Sequence, residues 1–297
     1  MEPAILPAAQ GWLWVLQGFG IFRRYAALWL LLLFFYWTGL LALSAVPLLG
    51  PVLSMLLMPG VSAGMMVACK SASAQHLPPT LRHFYEPFAR NRNAQLKLGL
   101  LNLAGTAVAI GISSLFSDGQ VMQNPPASMD RAQMMRAMPG YFQGAAAFFI
   151  AFSPVMVALW FAPALVHWRG MAPGKAVFFS FFAFLRNWRA FTVYGLGWIF
   201  FLSIVPAFLM MVLAALLPID MRGVTVVAFV LTPYVFAVLG AMACSLYPTY
   251  AAVFPQTDGG PDGRAGRAPE NAPEAQSANK PAPGATTPEP GDGPPAQ

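Results

Sequence analysis

Residues 26–46 read AALWLLLLFFYWTGLLALSAV, a run of 21 residues without a charged side chain. An α-helix rises about 1.5 Å per residue, so about 20 apolar residues cross a hydrocarbon core of about 30 Å. Five more uncharged stretches of at least 19 residues follow along the chain, at residues 51–69, 98–116, 143–166, 191–217 and 223–253. The sequence therefore predicts an all-α polytopic membrane protein with six transmembrane helices.

The composition of the chain indicates the same class of protein. Of its 297 residues, 57% are hydrophobic and only 9% are charged. A soluble domain carries about 25% charged residues, which cover its surface. Membrane β-barrels are built from short segments of alternating hydrophobicity, which differ from these unbroken apolar runs. Composition and pattern together favour a bundle of membrane-spanning helices.

The basic residues are divided unequally between the two ends of the predicted helices. Of 17 Lys and Arg residues, 14 lie on one side and three on the other. The larger group is Arg23, Arg24, Lys70, Arg82, Arg90, Arg92, Lys97, Arg169, Lys175, Arg186, Arg189, Arg264, Arg267 and Lys280, and the smaller is Arg131, Arg136 and Arg222. Because loops rich in Lys and Arg stay in the cytoplasm, both termini are predicted to be cytoplasmic.

The chain is predicted to consist of two parts. Residues 1–254 form the six-helix membrane domain, and residues 255–297 form a cytoplasmic tail rich in Pro, Gly and Ala. The tail has ten Pro and seven Gly but no Val, Leu, Ile, Met, Phe, Tyr or Trp. A segment of this composition has no side chains with which to build a core, so we predict that it is disordered.

We predict that the six helices form three hairpins, each entered through a basic cytoplasmic segment. The spacing Arg-x-x-x-Ala precedes the first, third and fifth helices, beginning at Arg23, Arg90 and Arg186. Units that all enter from the same side are expected to repeat around an axis normal to the membrane. Chance spacing of common residues explains the pattern equally well, so both interpretations stay open.

Two amphipathic segments are predicted to lie in the membrane interface beside the spans. In residues 11–24, apolar side chains recur at helical spacing, namely Trp12, Val15, Leu16, Phe19 and Phe22. One apolar face, with a Trp near one end and paired arginines at the other, suits an interfacial helix. Residues 173–186 carry five phenylalanines between Lys175 and Arg186, and are predicted to be interfacial or partly re-entrant.

Three segments carry a resemblance to a known family: WFAPALV at 160–166, GMAPGKA at 170–176 and FFAFLRNWRAF at 181–191. Over residues 11–254 the chain resembles an uncharacterised family of bacterial inner-membrane proteins, most specifically at the cytoplasmic motif Pro-Gly-Lys-Ala … Arg-Asn-Trp-x-Ala-Phe. More distantly, it is similar to the membrane domain attached to some glycerophosphodiester phosphodiesterases. It lacks the acidic and histidine cluster of their catalytic domain. The resemblance implies a fold and no assigned activity.

The last of these segments suggests a site for an anionic lipid headgroup or phosphate. The candidate residues are Lys175, Arg186, Asn187, Trp188 and Arg189. Guanidinium groups bind phosphates through paired hydrogen bonds, and Trp favours the membrane interface. The alternative, which we favour, is that these side chains are anchors that reach the interface and fix the depth of the helices.

The predicted periplasmic loop at residues 117–142 is rich in methionine. It holds five of the 16 methionines of the chain. Thioether sulfur is a soft ligand that suits Cu(I), and Met134, Met135 and Met138 are the candidate ligands. The alternative, which we favour, is a short helix whose methionines fill gaps against the membrane or its neighbours. The sequence contains no CxxC or HExxH motif, so no other metal site is predicted and no cofactor is expected.

The predicted membrane interior holds few polar groups. No Asp, Glu, Lys, Arg or His lies in the central part of any apolar stretch. Asn102, Thr106, Ser203 and Thr232 are the candidates for a polar pathway, although hydrogen bonds between helices explain them equally well. Because no clustered acid, base or metal set is present, the chain is not expected to be an enzyme.

These observations lead to three hypotheses about function. The leading one is a non-enzymatic membrane module that interacts with lipids or with a membrane-protein partner. Anionic headgroups are the expected lipid partners, because the overall charge of +6 lies on the predicted cytoplasmic face. The alternatives are a facilitator or channel for an uncharged or lipid-like solute, and Cu(I) handling at the methionine loop. The sequence contains no folded basic module, so nucleic-acid binding is not predicted.

Overall fold

The computed structural model describes residues 2–47, 49–116, 131–216 and 221–255. Within these residues every regular element is a helix, which confirms the all-α class. The chain divides after Pro255 into a membrane unit and a C-terminal unit. The C-terminal unit lies outside the described residues, so the predicted disorder of the tail stays a prediction.

The described residues contain eleven α-helices and one π-helical turn. They are α1 (Gln10–Arg24), α2 (Ala26–Ser44), α3 (Leu49–Ala74), α4 (Arg82–Phe116), α5 (Arg131–Leu159), α6 (Ala162–Arg169), α7 (Pro173–Arg186), α8 (Trp188–Ile199), α9 (Val205–Leu216), α10 (Met221–Cys244) and α11 (Leu246–Val253). A π-helical turn, Phe200–Ile204, joins α8 to α9.

Six helical segments are long and apolar enough to cross a membrane. They are Ala26–Ser44, Leu49–Ala74, Arg82–Phe116, Met135–Arg169, Trp188–Leu216 and Thr225–Val253. Each overlaps one of the uncharged stretches of the sequence, so the prediction of six apolar helices is confirmed. The span that starts at Arg82 is much longer than its predicted core, because a polar helical segment precedes the apolar part and joins it at a kink at Asn91, where φ is −136° and ψ is 41°.

Two of the spans are broken near their ends. The fourth span bends at Trp160 and Phe161, just before Pro163, and the sixth is interrupted at Ser245, just before Pro248. Proline has no N–H group, and its ring crowds the carbonyl four residues earlier, here that of Leu159 or Cys244, which explains the position of both breaks. Hydropathy alone does not detect these breaks, because the residues on both sides are apolar.

The break at Trp160 is stabilised by a side chain from another helix. The hydroxyl of Ser180 on α7 accepts a hydrogen bond from the backbone N–H of Phe161 at 2.9 Å and donates one to the carbonyl of Val157 at 3.2 Å. In an unbroken α-helix these two backbone groups would bond to each other, and at the break Ser180 bridges them instead; the carbonyl of Val157 also accepts from the N–H of Trp160 at 3.3 Å. The amide of Gln95 donates to the carbonyl of Pro163 at 3.0 Å. The bend is therefore built into the packing of the bundle.

The closest helix packing joins α3 to α4. A Cβ atom added at Gly99 would collide with the carbonyl oxygen of Leu56, and one added at Gly64 would lie 2.6 Å from the Cα of Phe84. Small residues at such points let two helix backbones approach each other in a membrane. The proposed hairpins place α3 and α4 in different units. The division into three hairpins stays a prediction.

Helix α1 is packed into the bundle between α8 and α10. Its Trp14 and Val15 are fully buried, and a Cβ atom at Gly11 would collide with the backbone of Ala190 on α8. Trp12 and Leu16, which belong to the predicted apolar face, are 40% and 47% exposed. The helix thus has one apolar face toward the protein and another that points outward. Its depth in the membrane stays a prediction.

Candidate functional site

A cavity of about 560 Å³ opens between the transmembrane helices, and we call it the aromatic cavity. Side chains from α2, α3, α5, α7, α8, α10 and α11, together with Trp160 at the helix break, line it. Trp37 and Met58 belong to the lining and are about half exposed on the spans Ala26–Ser44 and Leu49–Ala74. The cavity is therefore reachable from the surface that these spans turn toward the bilayer.

One wall of the aromatic cavity is formed by rings in contact with one another. The rings of Phe184 and Phe191 stack with centroids 4.1 Å apart and planes inclined by 19°. The indole of Trp160 meets Phe191 edge to face at 5.7 Å and Tyr194 at 6.1 Å. Trp198 meets Tyr194 in the same way at 6.1 Å. Edge-to-face and offset arrangements are the favourable geometries for aromatic pairs, so this wall is rigid.

Methionines supply the adaptable part of the lining. Met58, Met65, Met156 and Met242 all line the cavity. The hydroxyl of Tyr36 donates to the sulfur of Met58 at 3.6 Å. Because methionine has an unbranched, polarisable side chain, it adjusts to ligands of irregular shape.

Buried hydrogen-bond donors without a partner lie beside the cavity. The indole Nε1 of Trp160 is buried and forms no hydrogen bond within the described residues. The Nε1 of Trp198, which lies close to the hydroxyl of Tyr194, also forms none with good geometry. The Tyr194 hydroxyl itself is bonded to the hydroxyl of Ser245 at 2.6 Å. Because both indole nitrogens are enclosed by protein atoms, they do not offer a hydrogen bond to a molecule inside the cavity.

The described lining of the aromatic cavity is uncharged and mostly apolar. No Asp, Glu, Lys, Arg, Cys or His side chain is among the described residues that form it. Its polar side-chain atoms are hydroxyl oxygens and indole nitrogens. An apolar chain matches this lining in polarity.

The predicted headgroup residues do not form one compact cluster. Lys175 and Arg186 lie at opposite ends of α7, about 16 Å apart along the helix axis at 1.5 Å per residue. Lys175, Arg186, Trp188 and Arg189 are exposed. The guanidinium of Arg189 lies over the ring of Trp188 at 5.6 Å, and the ammonium of Lys175 lies 5.9 Å from the ring of Phe179. These positions fit interfacial anchors at two separate points.

Asn187 has a different environment from the other predicted headgroup residues. Its side chain is buried, with 1% exposure. The amide nitrogen donates to the carbonyls of Ala4 and Ala183, and the amide oxygen accepts from the N–H of Leu6, each at 2.9 Å. Asn187 thus holds the N-terminal segment against the turn between α7 and α8. Its side-chain groups are engaged with the backbone and do not face a headgroup.

The four candidate pathway residues are not gathered in one place. Asn102 and Thr106 are buried on α4, where the amide of Asn102 donates to the carbonyl of Met55 on α3 at 2.9 Å. The hydroxyl of Thr106 donates to the carbonyl of Asn102 at 2.8 Å. Ser203 and Thr232 are exposed on the fifth and sixth spans. The geometry at Asn102 is that of a hydrogen bond between helices, and water access along these residues stays a prediction.

The methionine loop is only partly covered by the structure. Residues 117–130 and the side chain of Met134 lie outside the described residues. Met135 and Met138, near the start of α5, are 70% and 47% exposed. Among the described residues no group of three or more His, Cys, Asp or Glu side chains is arranged to hold a metal ion. Cu(I) binding by Met134, Met135 and Met138 stays a prediction.

Sequence reasoning did not identify the aromatic cavity. A signal was nevertheless present, because the segments that carry the family resemblance supply Trp160, Phe184 and Phe191 of its wall. These residues are separated by up to 31 positions in the chain. Only the break at Trp160 and the turn at Asn187 bring their rings together.

The fold and the cavity define a polytopic α-helical membrane protein. A probable inner membrane protein of Burkholderia thailandensis is 33% identical to the chain over 263 residues, which are 86% of this chain and 94% of that relative. The chain therefore belongs to this family of inner-membrane proteins and is a multi-pass inner-membrane protein. No family model and no solved structure matches the chain.

Proposed function

We propose that the protein is a non-enzymatic lipid-binding module of the inner membrane, and that it takes the acyl chain of a lipid into the aromatic cavity. The observation that carries this proposal is the apolar lining of a cavity between transmembrane helices, which is formed by aromatic rings in contact with one another and by four methionines. The acyl chain of a lipid would fill this lining.

Close packing matters because a lipid gains little by moving from one apolar environment to another. Hydrophobic transfer does not drive association inside a bilayer, where the surrounding lipid tails are equally apolar. Binding must then come from close packing against the cavity wall. The stacked rings of Phe184 and Phe191 and the flexible methionines supply the packing surface.

The absence of catalysis is part of the proposal. It is supported by the described lining, which offers no acid, base or nucleophile beside the cavity apart from hydroxyl groups of Ser62, Tyr36 and Tyr194. The Tyr194 hydroxyl is engaged with Ser245. A hydroxyl without an adjacent base is a weak nucleophile.

We further propose that both termini are cytoplasmic and that exposed cations on that side contact anionic headgroups. Fourteen Lys and Arg residues lie on one predicted side of the membrane and three on the other, which supports this orientation. The exposed positions of Lys175, Arg186, Trp188 and Arg189 agree with contacts at the interface. A membrane-protein partner, a facilitated solute and Cu(I) remain predictions that no contact within the described residues favours.

The test uses Gly195, which lines the aromatic cavity and has no atom within 4 Å of an added Cβ. The Gly195→Leu side chain would therefore occupy the cavity without displacing neighbouring protein atoms. Gly39→Leu is the matched control, because Gly39 is equally open on α2 and lies outside the cavity lining. Purified, delipidated full-length protein is labelled with a phospholipid that carries a diazirine in its acyl chain.

We expect labelling in the wild type and in Gly39→Leu, with crosslinked peptides that contain Met58, Met156 or Met242. Labelling of these peptides should fall to background in Gly195→Leu. Equal labelling of all three proteins would contradict the proposal, because the lipid would then be bound at the outer surface.

A further inference from the structure

A second cavity, of about 840 Å³, lies on the predicted cytoplasmic side and shares no lining residue with the aromatic cavity. We call it the arginine groove. Helix α1 lines it with Gln10, Gln17, Gly20, Ile21, Arg23 and Arg24. The other wall is the end of α3 at Ser73 together with α11 from Tyr247 to Ala252. Two cations and two amides thus border an otherwise apolar groove.

One of the two arginines is held in position by the segment after α3. The Nη1 of Arg24 is hydrogen-bonded to the Nδ1 of His76, and the hydroxyl of Tyr25 donates to the carbonyl of His76 at 2.7 Å. A guanidinium has only donors, so the Nδ1 of His76 is the acceptor. The backbone of His76 has a left-handed φ of 55°, which places the ring for this contact. The remaining N–H groups of Arg24 are available to a ligand.

No acidic side chain of the described residues borders the groove. These residues contain two acidic side chains, Glu2 and Glu86. Neither lines the groove, and Oε1 of Glu86 lies 3.5 Å from Nε2 of His167. No acidic side chain of the described residues lies within 4 Å of the guanidinium of Arg23 or Arg24. The two adjacent arginines therefore have no acidic counterion within the described part of the chain. Arginine binds phosphate oxygens through paired, charge-assisted hydrogen bonds.

The apolar part of the groove fits the portion of a lipid that adjoins its headgroup. Ile21, Pro248, Ala251 and Ala252 line this part. A free phosphate ion would leave these side chains uncovered, whereas the glycerol and first acyl carbons of a phospholipid would cover them. Gln10 and Gln17 supply amide donors and acceptors at the edge, where polar headgroup atoms would lie.

We propose that the arginine groove is a binding site for an anionic phospholipid, and that Arg23 and Arg24 hold its phosphate. This inference adds a headgroup class to the proposed lipid-binding function, on which it rests, but it uses different residues. It also differs from a diffuse attraction of all basic residues to the membrane, because it requires a particular pair of arginines and the concave surface beside them.

The experiment measures lipid binding to delipidated full-length protein by native mass spectrometry. Phosphatidylglycerol and phosphatidylcholine are titrated separately against the wild type and Arg23→Gln/Arg24→Gln. We expect the wild type to prefer phosphatidylglycerol, and the double variant to lose about tenfold in affinity for it, with little change for phosphatidylcholine. The matched control is Arg82→Gln/Arg92→Gln, which removes the same charge from exposed arginines outside the groove.

A second variant blocks the groove by size and leaves its charge in place. Gly20 lines the groove, and an added Cβ there has no atom within 4 Å, so Gly20→Leu would fill the groove and also favour the helix. We expect it to weaken phosphatidylglycerol binding as well. Gly111→Leu, at an equally open position on α4, should leave this binding unchanged.

Three results would overturn the inference. One is an equal loss of phosphatidylglycerol binding in the Arg82/Arg92 control, which would indicate diffuse charge attraction. Another is unchanged binding in both groove variants. The third is displacement of the lipid by millimolar inorganic phosphate alone, which would identify a site for free phosphate. Gly195→Leu is measured in parallel. If this variant loses acyl-chain labelling but keeps the preference for phosphatidylglycerol, the two sites are independent. If it loses both, the proposal of a separate site in the groove is wrong.

Discussion

The rings of Phe184 and Phe191 stack with centroids 4.1 Å apart, although α7 ends and α8 begins between them. The turn at Asn187 makes this contact possible, and the amide of Asn187 donates to the carbonyls of Ala183 and Ala4. Trp160 then packs against both phenylalanines, at 6.0 Å from Phe184 and 5.7 Å from Phe191. The stacked pair is thus the fixed wall against which the proposed lipid would lie.

Replacing Asn187 by Ala should release the N-terminal segment. The substitution removes hydrogen bonds to Ala4, Leu6 and Ala183 and leaves buried backbone groups unpaired. We expect a loss of about 1–3 kcal/mol in the free energy of unfolding, together with faster proteolysis before Gln10. Asn93→Ala, at an exposed position on α4, should change neither quantity. Equal proteolysis of the wild type and Asn187→Ala would show that Asn187 does not hold this segment.

The approach of α3 to α4 predicts opposite effects for two glycines on the same helix. Gly99→Ala would place a methyl group against the carbonyl of Leu56, whereas Gly111→Ala would place it in open space. Overpacking costs about 1–3 kcal/mol, while Ala favours a helix interior over Gly by about 1 kcal/mol. Thermal unfolding in detergent should therefore show a lower midpoint for Gly99→Ala and an unchanged or higher one for Gly111→Ala. The same midpoint in both variants would contradict the described contact.

The orientation of the chain is tested by fusion to alkaline phosphatase, which is active only outside the cytoplasm. The distribution of Lys and Arg predicts that a fusion after Asp130 is active and that fusions after Arg90 or Gly174 are inactive. Activity of the Arg90 fusion would contradict both the orientation and the cytoplasmic position of the arginine groove.

The sequence was sufficient to predict the spans, because hydropathy and helix length depend on local residues alone. It did not locate the cavity, since Trp160, Phe184 and Phe191 become neighbours only through a helix break and a turn. The interpretation of Asn187 illustrates the same limit. Its neighbours Arg186, Trp188 and Arg189 are exposed, but its own amide faces inward and bonds the N-terminal backbone.

The side chains of Arg23 and Arg24 were visible in the sequence as part of a basic belt. Their role in a concave site was not, because the opposite wall comes from α11, more than 200 residues later in the chain. Only the tertiary structure shows that these two arginines, among the basic residues of the chain, lie beside a groove.

The most direct test of the central claim is an experimental structure of the full-length protein in lipid nanodiscs. The account predicts elongated lipid density in the aromatic cavity, in contact with the stacked rings of Phe184 and Phe191. A cavity closed by the protein's own side chains, or an open cavity without lipid density, would contradict it.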